Sequence, residues 1–274
     1  MILSLHPLIQ GDVNRIIAGR SPEQHEVELM KQARAIIVSQ GVTEEVYRLA
    51  RQSCVHVFPN YDARFDYPGK AGQVALFEKL GLPHPGTVLF PTVGMFIRQD
   101  LENRYPKPFV LKCSQGGEGN SVYLVSDKSS LYTALSMLEN MEREGFGPFL
   151  MQQFIPNDHH DLRVVVMGKD FYAYWRRQPD PAQFLHNITA GAVVDRDGDP
   201  HLLKQGRKLA KIFSERSGVD LAALDIIFPS GSDTPLLLEV NYFFGRRGLG
   251  GSFEYYRLLK RAVAEWLNQL EETL

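Results

Sequence analysis

Three oxygen-bearing side chains stand inside runs that otherwise read as hydrophobic strands. Asp225 lies in Leu224-Asp225-Ile226-Ile227-Phe228, and Glu239 and Asn241 lie in Leu237-Leu238-Glu239-Val240-Asn241. The turn-forming residues Pro229-Ser230-Gly231-Ser232-Asp233 separate the two runs, as between neighbouring strands. Side chains alternate faces along a strand, so Glu239 and Asn241 share one face while Leu238 and Val240 take the other. Asp225 can meet them from the adjacent strand. An all-oxygen set of this kind suits Mg²⁺, which keeps several waters and takes further ligands from nucleotide phosphates. The same carboxylates could instead be edge-strand charges facing water.

Two lysines and a glycine-rich loop point to phosphate. Lys70 opens a run ending at Gly81 that reads as a helix with a glycine C-cap. A cation at a helix N-terminus opposes the helix dipole, so Lys70 is either a solvated surface lysine or one placed for a ligand. Lys112 sits in the apolar strand Phe109-Val110-Leu111-Lys112-Cys113-Ser114, directly before Gln115-Gly116-Gly117-Glu118-Gly119-Asn120-Ser121 and a second strand, Val122-Tyr123-Leu124-Val125. Glycines at such a hairpin tip let backbone N–H groups approach phosphate without Cβ interference, although many such tips are only turns. The spacing is not that of a Walker loop, and no helix follows directly. No nucleophile, base and orienting group stand together: Cys113 adjoins Lys112 without a neighbouring histidine, and none of the eight histidines is placed for catalysis.

The elements that must hold these groups follow from periodicity. Residues 35–38 (strand), 43–51 (helix) and 54–58 (strand) form a short βαβ-like unit that lacks the G-x-G-x-x-G of a dinucleotide fold. Residues 131–143 form an amphipathic helix, and 149–155 a strand. Asp161-Leu162-Arg163 begins another strand, which pairs with Phe171–Arg177 around Gly168-Lys169-Asp170. Residues 202–217 and 252–270 read as amphipathic helices, the last with Leu258, Leu259, Val263, Trp266 and Leu267 as its apolar stripe.

Composition bounds what such a chain does. With 30 Lys and Arg against 32 Asp and Glu, there is no global field for nucleic acid or an anionic membrane. Any cationic site must be local. Two distant cysteines match no metal or redox spacing and indicate a reducing compartment. Without a signal-like N-terminus or a membrane-spanning run, the expected location is cytoplasmic.

In this order, Lys70 before Gly81 and Pro85, Lys112 before the glycine loop, Gln152-Gln153-Phe154-Ile155, Asp161-Leu162-Arg163, then Asp225 and Glu239-Val240-Asn241, the chain resembles the ATP-grasp superfamily over about residues 66 to 270. Within it, the RimK-type carboxylate–amine ligases are the nearest match. The resemblance implies an α/β (α+β) fold with two subdomains gripping the nucleotide, residues 69–155 and 156–274, after a reduced N-terminal βαβ domain, residues 1–68. It implies ATP and Mg²⁺ (or Mn²⁺) as cofactors. Lys70, Lys112, Gly116, Gly117 and Gly119 would then meet the phosphates, Gln153 and Phe154 the adenine, and Asp161 the ribose. Asp225, Glu239 and Asn241 would hold the metal, with Arg163, Arg176, Arg177 and Asn187 lining the acyl-phosphate and acceptor side.

The chain departs from that pattern in three places. Gln153 stands where a glutamate is usual, Ser121 replaces a loop glycine, and residues 242–251 replace the usual Pro-Gly turn after Asn241. Arg246 and Arg247 in that segment could receive an acidic substrate or be solvated. The implied reaction activates a carboxylate with ATP and passes it to an amine. Substrates are expected to be a small molecule, an amino acid or a peptide, with neither nucleic acid nor membrane as partner and with room for a homo-oligomer. A phosphotransferase on the same fold and a nucleotide-binding module without turnover are the alternatives.

Overall fold

The computed structural model describes residues 1–116, 121–180 and 191–272. Along the chain come β1 (Ile2–Ser4), β2 (Val13–Asn14), α1 (Gln24–Gln32), β3 (Ala35–Ile37), α2 (Glu44–Ser53) and β4 (Val57–Phe58). Their strands form a parallel sheet in the order β2-β1-β3-β4. The βαβ unit read from sequence is β3–α2–β4, and Thr43 caps α2 by accepting from the Val46 N–H. β1, too short to show a period, inserts between β2 and β3.

After α3 (Asp62–Asp66) and α4 (Gly69–Leu80), the chain builds a second sheet from β5 (Thr87–Phe90), β6 (Phe109–Cys113), β7 (Val122–Val125) and β8 (Phe149–Gln153). Its order is β5-β8-β6-β7, antiparallel throughout, with α5 (Val93–Arg98) and α6 (Lys128–Arg143) packed on it. The third sheet contains β9 (His160–Met167), β10 (Asp170–Arg177), β11 (Val193–Asp195), β12 (Leu221–Ile227) and β13 (Leu236–Asn241). It runs β11-β10-β9-β12-β13, again antiparallel, and is accompanied by α7 (Pro200–Ser217) and α8 (Ser252–Glu272). Among the described residues no helix is long and apolar enough to cross a membrane.

Two hydrophobic cores hold these layers. Phe90, Phe109, Leu111, Leu138, Phe149 and Met151 make the core of the second sheet. The first and third sheets share the other, in which Phe58 meets Trp266 and Phe77 of α4 meets Phe213 of α7 with ring centroids 5.5 and 6.3 Å apart. Burying one such ring contributes about 1.5–3 kcal/mol. Although α4 precedes the second sheet in sequence, its Leu76 and Phe77 therefore anchor it to the third.

Helix α4 is seated closely enough to forbid a side chain. A Cβ at Gly72 would stand 2.3 Å from the Tyr67 carbonyl carbon and 2.6 Å from its oxygen, both backbone atoms that cannot swing aside. Alanine normally gains about 1 kcal/mol over glycine inside a helix. At Gly72 the sign reverses: Gly72→Ala is expected to cost about 1–3 kcal/mol as overpacking, seen as a lower thermal midpoint. An unchanged or raised midpoint would contradict the seating.

Candidate active site

The alternation of β9, β10, β12 and β13 gathers one polar face on the third sheet. Asp225 is the cross-strand partner of Glu239 on one side and of Arg163 on the other, and Asp161 is the partner of Arg176. Arg163 donates through Nε and Nη2 to the two Asp225 oxygens at 2.8 Å each. Asn241 Nδ2 donates to Asp225 Oδ2 at 3.1 Å, which turns its amide oxygen away from that carboxylate. Arg176 lies between two acids, bidentate to Asp161 and 3.0 Å from Asp225.

These ion pairs are buried, and burial opposes every charge in them. Around Asp225 the guanidiniums of Arg163 and Arg176 more than offset that effect and hold its carboxyl down at about 2. Arg176 also loses solvation, yet Asp161 and Asp225 keep it above the ordinary guanidinium range. Both Asp161 oxygens accept from Arg176, so the ribose contact implied by resemblance would compete with that pair.

Glu239 is differently placed. Its ion pair with Lys70 spans 3.8 Å, beyond hydrogen-bond length, and its side chain keeps 29% exposure. Thus, among the described residues, Glu239 is the less committed of the two carboxylates. Lys70 Nζ donates to the Gly116 carbonyl at 3.0 Å, at the mouth of the glycine loop. Lys112 projects from β6 and donates to Gln152 Oε1 at 2.7 Å. Burial pushes the Lys112 ammonium down to about 8, against the fields of Glu239 and Asp225 and helped by Lys70. Among the described residues, four cations (Lys70, Lys112, Arg163, Arg176) thus face three carboxylates (Asp161, Asp225, Glu239). The excess of positive charge suits a polyphosphate.

As a cation site, Asp225, Glu239 and Asn241 share one face of the sheet, and carboxylate and amide side chains carry the hard oxygens that Mg²⁺ requires. They are too few to form a complete protein cage, so phosphate and water oxygens must finish the shell. Among the described residues no group of three or more His, Cys, Asp and Glu could hold a metal, so Asn241 is needed to complete this set.

Other residues of the expected site fall differently. Gly116 begins the loop at φ 96°, a conformation glycine adopts readily, whereas Gly117, Gly119 and Asn187 lie outside the described residues. Gln153 ends β8 exposed, its N–H donating to the Gly86 carbonyl at 2.8 Å, with half-buried Phe154 next to it. Arg177 must be separated from Arg176. Being one residue on, it takes the opposite face of β10, where it pairs with Asp195 at 2.7 Å and Asp199 at 3.2 Å, and so does not join the Asp225 cluster. The tight Gly168-Lys169 turn sets Asp161 opposite Arg176, so hairpin arithmetic could have made this distinction.

Sequence reasoning also missed three contacts. Gln152, the neighbour of the residue singled out, is the one that receives Lys112. Gln73, one turn after Lys70, pairs with the backbone of Val240. Tyr174, opposite Arg163, underlies the segment after Asn241: a Cβ at Gly248 would stand 1.9 Å from its ring. In that segment Arg246 lies over the rings of Tyr255 and Tyr256, 4.5 and 4.7 Å from their centroids, while Arg247 is exposed.

Comparison with known proteins agrees with this architecture. Residues 74–251, more than half of the chain, match the model of the RimK-like ATP-grasp domain. A probable alpha-L-glutamate ligase from Xylella fastidiosa (strain M12) is 28% identical over 145 residues, 53% of this chain and 45% of that protein. N-acetylaspartylglutamate synthase A from Homo sapiens is 27% identical over 149 residues, 54% of this chain and 36% of that protein. The chain thus spans less than half the length of these two relatives. A solved RimK domain ATP-grasp protein from Sphaerobacter thermophilus DSM 20745 superposes with a TM-score of 0.62 at 16% identity, over 96% of this chain and 99% of that one.

Proposed function

Because the chain belongs to the RimK-like ATP-grasp family, we propose that it is an ATP- and Mg²⁺-dependent ligase joining a carboxylate to an amine. The observation that carries this reading is the shared face of Asp225, Glu239 and Asn241 with Lys70 and Lys112 beside it. Mg²⁺ held there would neutralise developing phosphate charge. The chain's own part is to bind and orient: Lys112 and Lys70 attract the phosphates beside Gly116.

In the proposed reaction an oxygen of the acid bonds to the γ-phosphorus of ATP while the bridging P–O bond breaks and ADP leaves. The amine nitrogen then bonds to the acyl carbon, phosphate departs, and the amine proton passes to solvent. No side-chain nucleophile is needed. Arg163 and Arg176 keep Asp225 ionised and oriented rather than lining an open acceptor pocket, and Arg247, exposed where Arg246 lies over Tyr255 and Tyr256, is the guanidinium of the segment after Asn241 free to meet solvent-borne acid. Since both named relatives carry glutamate in their names, glutamate heads the panel of amines to test.

The test is Mg²⁺-dependent ADP release across pools of acids, amino acids and short peptides, with hydroxylamine as a trapping amine. A hydroxamate supports the ligase. A hydroxylamine-stable phosphorylated product would identify a phosphotransferase, and silence in every pool a binding module. Lys112 predicts the pH profile: protonated below about 8, it loses the charge that attracts phosphate above that pH. Accordingly kcat/KM for ATP, which reports the free enzyme, is expected to fall as pH rises through about 8. A profile flat from pH 7 to 9 would remove Lys112 from phosphate binding.

A further inference from the structure

Among the described residues, β13 is an edge strand of the third sheet, with β12 on one side and no strand on the other. Its ladder to β12 is irregular where the site begins: Asp225 faces Glu239, but the next residue, Ile226, faces Leu237, so Leu238 has no partner. Such a bulge disrupts the ladder locally, bends the strand and re-aims a side chain beside it. Pairing with β12 alone is therefore a weak constraint on Glu239.

Gln73 supplies the missing edge. Its Nε2 donates to the Val240 carbonyl and its Oε1 accepts from the Val240 N–H, each at 2.8 Å. A primary amide offers the donor and acceptor of one peptide unit, so the side chain acts as a one-residue strand just past the bulge. Gln73 is buried, and Val240, between Glu239 and Asn241, is buried too. The same helix carries Lys70 one turn earlier, and its first N–H groups reach Ser114 below the glycine loop: Lys70 N–H to the Ser114 carbonyl at 2.9 Å and Ala71 N–H to Ser114 Oγ at 3.1 Å.

We propose that Gln73 is a positioning residue for the divalent cation. By clamping Val240 from the free edge, it fixes the directions in which Glu239 and Asn241 project, and sets cation affinity without touching the cation. Helix α4 thereby joins the base of the phosphate loop to the cation-bearing strand. The inference rests on the reading of Glu239 and Asn241 as cation ligands.

The experiment titrates Mn²⁺ by electron paramagnetic resonance into the full chain with a non-hydrolysable ATP analogue, comparing wild type, Gln73→Met, Gln73→Glu and Glu239→Gln. Methionine preserves volume and removes both hydrogen bonds, and is expected to weaken Mn²⁺ binding about tenfold, equivalent to about 1.4 kcal/mol. Glutamate retains the acceptor for the Val240 N–H and should fall between. Metal-free affinity for the analogue should stay unchanged in Gln73→Met, while hydrogen exchange at the Val240 amide should accelerate in that variant without metal. Loss of Mn²⁺ binding in Glu239→Gln but not in Gln73→Met overturns the positioning role and leaves the cation site standing. Wild-type Mn²⁺ affinity in Glu239→Gln overturns both. If Gln73→Met does not fold, Gln73→Glu decides through the lost donor to the Val240 carbonyl: wild-type Mn²⁺ affinity there refutes the clamp.

Discussion

Replacing Glu239 with glutamine is expected to lower ATP turnover by about a hundredfold or more while the protein stays folded. The asymmetry among the three oxygen donors is the reason. Asp225 is already bonded by Arg163, Arg176 and Asn241, whereas among the described residues Glu239 has only a 3.8 Å approach from Lys70. A cation entering this face meets its most available negative charge at Glu239. Glutamine keeps the shape and removes that charge, and loss of one preorganised electrostatic group costs about 3 kcal/mol of transition-state stabilisation. Steady-state ADP release and a thermal melt check the two halves of the claim. Turnover within a few-fold of wild type would refute the cation assignment.

Arg176→Met should act on the fold rather than first on the chemistry. Its guanidinium is the partner of Asp161 and lies 3.0 Å from Asp225, with both acids buried. Removing one member of a buried ionic cluster strands the others and costs about 3–5 kcal/mol. The thermal midpoint of Arg176→Met should therefore fall well below that of wild type. Substituting both sides with apolar groups removes most of the unpaired charge, so Arg176→Met with Asp161→Leu should recover much of the loss, Arg163 still serving Asp225. A double variant no more stable than the single one would show that the cost lies in packing, not in charge.

Local periodicity made much of this molecule legible. The helix from Lys70 ends at Gly81 in the left-handed conformation, as a glycine C-cap should, and β9 and β10 form a hairpin around Gly168. The amphipathic stripes of α7 and α8 also face the core. β1 escaped because three residues carry no period, and β5 because its Pro-flanked run reads only as extended chain until β8 pairs with it. That Arg176 rather than Arg177 faces Asp161 and Asp225 was within reach, since it needs only a turn length and a period of two.

Residue type and order along the chain determined the chemistry available here: hard oxygen donors on adjacent strands, two lysines, a glycine loop and no nucleophile set beside a base. The tertiary structure decided how those groups are committed. Burial and cross-strand register bind Asp225 to two arginines, leave Glu239 comparatively free, and bring Gln73 to the open edge of β13. Such commitments depend on contacts between residues as far apart in sequence as Gln73 and Val240, and no local pattern encodes which partner a buried charge or an unpaired edge will find.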